Sequence, residues 1–275
     1  SKFEKNPKGY PFSGLVGVPH EGDWGVIPGL KESDYDDFKT VDYVVSKLNK
    51  KHQKPFFLAC GIFRPHLPWY APQKYFDLYP IEEILLPDIL ENDLDDIPRE
   101  GKELAAFRRG DFNKIKKSDK WKEAVQAYLA CISFADAQLG RVLDALEKNS
   151  RDKNTIIIFW SDHGWHLGEK QHWHKSTLWE EATRIPFTVV APGITAAGSK
   201  CKRPIDTLCI FPTLLELCKL KPIKGLDGVS IVPLLKDPNM DWKIPAVSEF
   251  RRGQCAVRSE RYRYIRYSDG TSELY

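Results

Sequence analysis

The sequence predicts an α/β protein with a mainly parallel sheet flanked by helices, followed by the start of a small C-terminal antiparallel subdomain. Three observations carry this. Apolar runs at 55–63 (PFFLACGIF), 155–160 (TIIIFW) and 185–191 (IPFTVVA) are β-branched and aromatic, with the unbroken hydrophobicity of strands covered on both faces. Amphipathic stretches precede, separate and follow them, the order expected of a helix-covered parallel sheet. From 246 onward the chain turns to short apolar segments split by turn residues, which predicts an antiparallel appendage.

Taken in order, residues 1–32 are rich in Gly and Pro and predict a surface segment laid over the rest. Ser33 is placed to cap a helix in which Phe38, Val41, Val45 and Leu48 form one stripe, with Asn49-Lys50-Lys51 at its C-terminal end. The 55–63 strand follows and ends in Arg64-Pro65-His66-Leu67-Pro68-Trp69. Residues 80–122 are irregular, acidic first and then basic (Arg108, Arg109, Lys114, Lys116, Lys117), and predict a rim or lid insertion. From 121 to 148, Val125, Tyr128, Leu129, Ile132, Ala135, Leu139, Val142, Leu143 and Leu146 trace a helical face. A short helix at 176–184, the strand at 185–191 and a helix at 207–220 come next. Strands at 246–249, 254–258 and 262–267 close the chain, with Asp269-Gly270 as a hairpin turn. This divides the chain into a large α/β domain, 1–221, and a linker with the beginning of a subdomain, 222–275.

The 275 residues are 42% hydrophobic and 12% aromatic, enough to bury a core, so disorder of the whole chain is excluded. A net charge of +3 spread over a chain that is 29% charged does not ask for nucleic acid as a partner. No apolar run approaches the ~20 residues of a membrane span, and the first residues do not read as a signal peptide. The six cysteines contain no CxxC pair; Cys60 and Cys131 sit in apolar runs and are expected to be buried thiols, with pairing among the others open.

Chemistry concentrates at 155–175, TIIIFWSDHGWHLGEKQHWHK, where a strand delivers Asp162 and His163 at its C-terminal tip, the place where open α/β sheets carry their sites. A carboxylate oxygen and a neutral imidazole nitrogen can face one cation, but two ligands do not hold a metal, and an Asp–His hydrogen bond closing a turn is the competing reading. Gly164 allows a close backbone approach to whatever the pair holds. Lys175, His172 and His66 suit an anionic substrate, since cationic groups stabilise a transferring sulfuryl or phosphoryl group and an imidazole can protonate a leaving oxygen. His66, between Pro65 and Pro68, is either an aimed imidazole or a solvent-facing turn residue. Glu169, Lys170 and His174 are expected to face water or pair locally.

The segments GIFRPHLP (61–68), SDHGWHLGE (161–169) continuing to Lys175, RIP through APG (184–193) and the tail from 256 to 275 resemble type I, formylglycine-dependent sulfatases, most closely the iduronate-2-sulfatase-like branch. The resemblance implies an alkaline-phosphatase-like sulfatase fold and a hydrolase of sulfate monoesters that acts on a sulfated carbohydrate. It implies one divalent cation, Ca2+ or another such as Mg2+, with Asp162 and His163 as metal ligands. Lys175 matches the lysine that bridges the sulfate and the nucleophile, His66 the histidine that contacts the sulfate or leaving oxygen, and His172 is a weaker match as a substrate contact. The family's setting implies a secreted, periplasmic or lysosomal protein.

The family's Cys/Ser-x-Pro-Ser-Arg motif, whose first residue becomes the formylglycine nucleophile, has no counterpart in these residues. The nucleophile is therefore expected in a missing N-terminal segment needed to complete the site, the chain end is read as a cut, and the 275 residues alone are expected to be inactive. A phosphate or phosphonate ester hydrolase of the same superfamily and a non-catalytic carbohydrate-binding relative are the alternative readings.

Overall fold

The computed structural model describes residues 8–15, 22–107 and 109–275. Much of the Gly/Pro-rich opening (1–7 and 16–21) and Arg108 lie outside the described residues. The chain forms two compact units, residues 1–88 with 110–153, and residues 89–109 with 154–275.

The first unit is organised by α5 (Trp121–Lys148), a helix of 28 residues and so about 42 Å long. It packs against α1 (Asp36–Leu48) and α2 (Gln73–Phe76). The buried side of α5 is built from Ala124, Ala127, Ala130, Cys131, Phe134 and Gln138, while Ile132 and Leu143, expected on the inner face, are exposed. Small residues let α1 approach closely, and Phe134 fills the remaining space against the Tyr35 and Tyr75 rings at centroid distances of 5.2 and 5.4 Å. Ser33 lies in a 3-10 turn and does not cap α1; Tyr35 holds the cap position without a side-chain bond. In the same unit β1 (Trp24–Gly25) pairs in parallel with β2 (Trp69–Tyr70).

Residues 55–63, expected to be a doubly buried strand, form no ladder, and Phe57 is 83% exposed. Cys60, expected to be buried, is exposed, whereas Cys131 is buried. Hydrophobicity made this run suitable for a sheet, but a strand exists only where a neighbour offers backbone donors and acceptors.

In the second unit the insertion is more regular than its composition implied. Helix α3 (Arg99–Ala106) contributes Leu104 and Ala105 to a core completed by Leu94, Ile97, Leu178, Trp179, Ala256, Ile265 and Tyr267. Its neighbour in sequence, α4 (Arg109–Lys117), belongs to the first unit from Gly110 onward. Strand β3 (Ile157–Trp160) pairs with β6 (Phe187–Val190), and the register Trp160↔Phe187 to Ile157↔Val190 is antiparallel. A parallel relation was expected; the connection between them holds only the hairpin β4 (His166–Leu167) with β5 (Trp173–His174) and α6 (Glu180–Thr183), with no long crossover helix. The loop thus leaves and re-enters the sheet at one end, and all its chemistry gathers there.

Helix α7 (Ile210–Leu217) and α8 (Val232–Lys236) bracket a second cluster around Cys209, Ile231 and Leu234, against which Phe187 and Val189 of β6 pack. The tail forms the antiparallel sheet β10-β9-β8-β7, from β7 (Ala246–Arg251), β8 (Gln254–Arg258), β9 (Arg263–Arg266) and β10 (Ser272–Leu274). The Asp269-Gly270 turn forms as expected, with Gly270 at φ +89° and Tyr267 and Thr271 joined across it by a 2.9 Å backbone bond.

Candidate functional site

The tip of β3 is shaped by its own side chains. Ser161 Oγ donates to the His163 carbonyl at 2.9 Å, curling the chain directly after the strand. His163 Nδ1 lies 2.8 Å from the Gly164 carbonyl, which assigns the proton to Nδ1 and leaves Nε2 with an in-plane lone pair. The Lys175 ammonium donates to that lone pair at 2.6 Å, and Asp162 Oδ2 lies 3.4 Å from the same nitrogen. The structure therefore brings Asp162, His163 and Lys175 to one point. The Asp162 side chain is 82% exposed, so its carboxylate is open to a ligand from solvent.

One hard carboxylate oxygen and one imidazole nitrogen at this separation fit part of the shell of a divalent cation. A calcium ion takes about six to eight ligands, so further donors are needed. Among the described residues no group of three or more His, Cys, Asp or Glu converges on a common point. Asp162 and His163 are the residues able to hold a cation here, with His163 Nε2 becoming a ligand when the Lys175 ammonium moves off it.

Gly164 has a different role from the expected one. A Cβ added to it would lie 2.0 Å from the Glu181 carbonyl oxygen, and its own N–H donates to Ala182 O at 2.8 Å. The close approach is to the backbone at α6, which pins the strand tip to the returning chain.

Beyond Gly164 the loop is held by two buried histidines. His166 Nδ1 faces Glu169 O at 3.1 Å and its Nε2 faces Thr177 Oγ1 at 2.8 Å, and burial together with the nearby His172 pushes its pKa down to about 3. His172 is fully buried, with Nε2 2.8 Å from Lys175 O and Nδ1 3.1 Å from Ala105 O; burial pushes its pKa down too, opposed by those two carbonyls. A direct substrate contact is not what this setting offers His172, because the side chain is fully buried and both ring nitrogens face backbone carbonyls. Glu169 accepts from Leu167 N at 2.7 Å, Lys170 pairs with Asp93 at 2.7 Å, and the His174 ring lies 4.9 Å from that of Trp165. The role of His166 was not legible in the sequence, where the available signal was a density of histidines in one loop.

His66 belongs to the other unit. Its Nδ1 lies 2.6 Å from Leu67 O, its ring rests 4.5 Å from that of Phe63, and its flanking Arg64–Pro65 and Leu67–Pro68 peptide bonds are both cis. Arg64 Nε donates to Tyr70 O and Trp69 Nε1 to Pro65 O, at 3.0 and 2.8 Å, so the turn carrying His66 is braced on both sides. The Nδ1–Leu67 O contact leaves Nε2 as the ring nitrogen that faces away from the turn's own backbone bond.

The α/β core with a C-terminal antiparallel sheet is the alkaline-phosphatase-like fold. At the level of fold this agrees with a solved phosphonate monoester hydrolase from Silicibacter pomeroyi, which matches with a TM-score of 0.80 at 21% identity, over 94% of this chain and 56% of that one. The chain belongs to the sulfatase family: the family described as Sulfatase matches residues 2–220, and the C-terminal family of N-sulphoglucosamine sulphohydrolase matches residues 168–275. A protein named sulfatase from Formosa agariphila is 43% identical over 92% of this chain and 50% of its own length. Iduronate 2-sulfatase of Mus musculus is 34% identical over 78% of this chain and 43% of its own length. The chain thus spans about half the length of the curated relatives it matches. No helix among the described residues is long and apolar enough to cross a membrane.

Proposed function

We propose that the full-length protein is a sulfuric ester hydrolase that removes sulfate from a sulfated sugar. The observation that carries this reading is the convergence of the Lys175 ammonium and the Asp162 carboxylate on His163 Nε2, in a chain of the sulfatase family. Asp162 and His163 would hold a divalent cation, calcium or magnesium, which supplies charge neutralisation at a sulfate oxygen. Lys175 sits close enough to share the same anion, and its positive charge would stabilise the sulfuryl oxygens in the trigonal-bipyramidal transition state. His66, held in a braced turn, is the candidate to contact the sulfate or leaving oxygen: Nε2 would first take up a proton, and the imidazolium so formed would then give it to the departing alkoxide. The formylglycine nucleophile and the remaining metal ligands are assigned to a segment of the full-length protein outside these residues. The uncovered apolar run at 55–63 supports docking of such a segment. A secreted, periplasmic or lysosomal setting is the one this reading expects.

The test is a panel of matched sulfate and phosphate monoesters, aryl and sugar, on the full-length protein with and without EDTA. Preferential sulfate release that EDTA abolishes and Lys175→Ala lowers by about 10²–10³-fold is expected. Preferential phosphate or phosphonate turnover would overturn the substrate class, and turnover indifferent to Asp162→Ala and His163→Ala would overturn the metal assignment.

A further inference from the structure

Lys175 is not held by regular secondary structure. Strand β5 ends at His174 and α6 begins only at Glu180, and the residues on either side of the lysine, His174 at φ +83° and Ser176 at φ +76°, both adopt the left-handed conformation that side-chain-bearing residues avoid. Lys170 and Gln171, at φ +54° and +48°, add two more such residues to the same loop. A backbone of this kind persists only where its surroundings over-determine it. What holds the lysine's own peptide is His172: its Nε2 lies 2.8 Å from the Lys175 carbonyl, its other nitrogen faces Ala105 O of α3, and its side chain is fully buried. The His166 ring stands edge-on to it at 5.1 Å and 88°, itself engaged with Thr177 just beyond the turn. A neutral imidazole has a single N–H, and the shorter contact assigns it to Nε2, directed at Lys175.

We infer that His172 is a positioning residue for Lys175: its Nε2–H holds the Lys175 carbonyl, and with it the left-handed turn 174–176, so that the ammonium is presented at His163 Nε2. The consequence for catalysis rests on the sulfatase reading above; the consequence for the geometry of Lys175 does not.

Two variants of the full-length protein separate the hydrogen bond from mere filling of space. His172→Phe keeps a ring and removes the donor, whereas in His172→Gln the amide Nε2 can occupy the place of the imidazole Nε2–H. The activity-independent readout is the rate of Lys175 acetylation by acetic anhydride, followed by peptide mass spectrometry. It should rise several-fold in His172→Phe, as the ammonium leaves His163, and stay close to wild type in His172→Gln. With a sulfate ester, kcat should fall by about 100-fold in His172→Phe, the cost of misplacing a catalytic group by about 1 Å, with rescue by His172→Gln. Wild-type acetylation of Lys175 in a folded His172→Phe overturns the inference, as does equal loss of folding in both variants, which would make the role one of packing. If His172→Phe alone fails to fold, wild-type acetylation and kcat in His172→Gln sustain it and altered values overturn it. If the wild-type protein turns over no sulfate ester, the sulfatase reading falls, and the acetylation rates alone decide the role of His172.

Discussion

Replacing Gly164 with alanine probes the junction between the strand tip and the returning chain. The new methyl carbon would stand 2.0 Å from Glu181 O, 3.0 Å from Arg184 O and 3.1 Å from Glu181 C. All three are backbone atoms, so no rotamer change can relieve the contact. Reaching an ordinary separation of about 3.4 Å requires the chain at α6 and the strand tip to part by more than about 1 Å. That motion also strains or breaks the 2.8 Å bond from Gly164 N to Ala182 O. Overpacking of this kind costs about 1–3 kcal/mol and a lost hydrogen bond about 1 kcal/mol, which together correspond to a fall in Tm on the order of 10 °C. Differential scanning calorimetry of the full-length protein measures it, with Gly140→Ala as the control, because nothing lies within 4 Å of a Cβ there. Calcium titration of the same variant should show weakened binding, since Asp162 and His163 move with the tip. A Tm within about 1 °C of wild type would refute the argument that the Gly164–Glu181 approach fixes the site.

Three further outcomes follow from the same unit. His166, with its pKa pushed down to about 3, stays neutral in the folded protein while its unfolded counterpart protonates below pH ~6.5. The stability it contributes is therefore full above that value and lost as pH falls toward 3, at about 1.4 kcal/mol per pH unit; urea midpoints at several pH values should show this slope, and His166→Phe should flatten it. The buried Glu273 carboxylate accepts from Trp179 Nε1 at 2.8 Å and from the Tyr267 and Tyr275 hydroxyls. Glu273→Gln removes its charge and leaves those donors poorly matched, so urea unfolding should register a loss of about 2–3 kcal/mol. The half-buried Lys170–Asp93 pair ties the insertion to the site loop, and a double-mutant cycle with Lys170→Met and Asp93→Asn should give a coupling of about 1 kcal/mol, with zero coupling showing that the tie is incidental.

Periodicity and composition determined the identities of the elements. Residues 121–148, 155–160 and the segments after 246 follow from apolar spacing, because a helix or strand imposes its own period on whichever residues it buries. The pairing of a strand with Asp162-His163 was legible for the same reason, since a run that ends in a carboxylate and an imidazole must deliver both at its tip. What only the tertiary structure decided is everything that depends on a neighbour. The antiparallel partnership of β3 with β6, the bare run at 55–63 and the exposure of Cys60 depend on what lies alongside, and hydrophobicity states that a surface can be buried without stating by what. The helices at 99–106 and 109–117 are short and highly charged, so their propensity is weak and packing has to supply the remainder. His172 and Gly164 changed roles for the same reason: an imidazole or a missing Cβ is chemically identical in a solvent-facing loop and beneath one. The distances to Lys175 O, Ala105 O and Glu181 O, contacts made across the fold, distinguish the two.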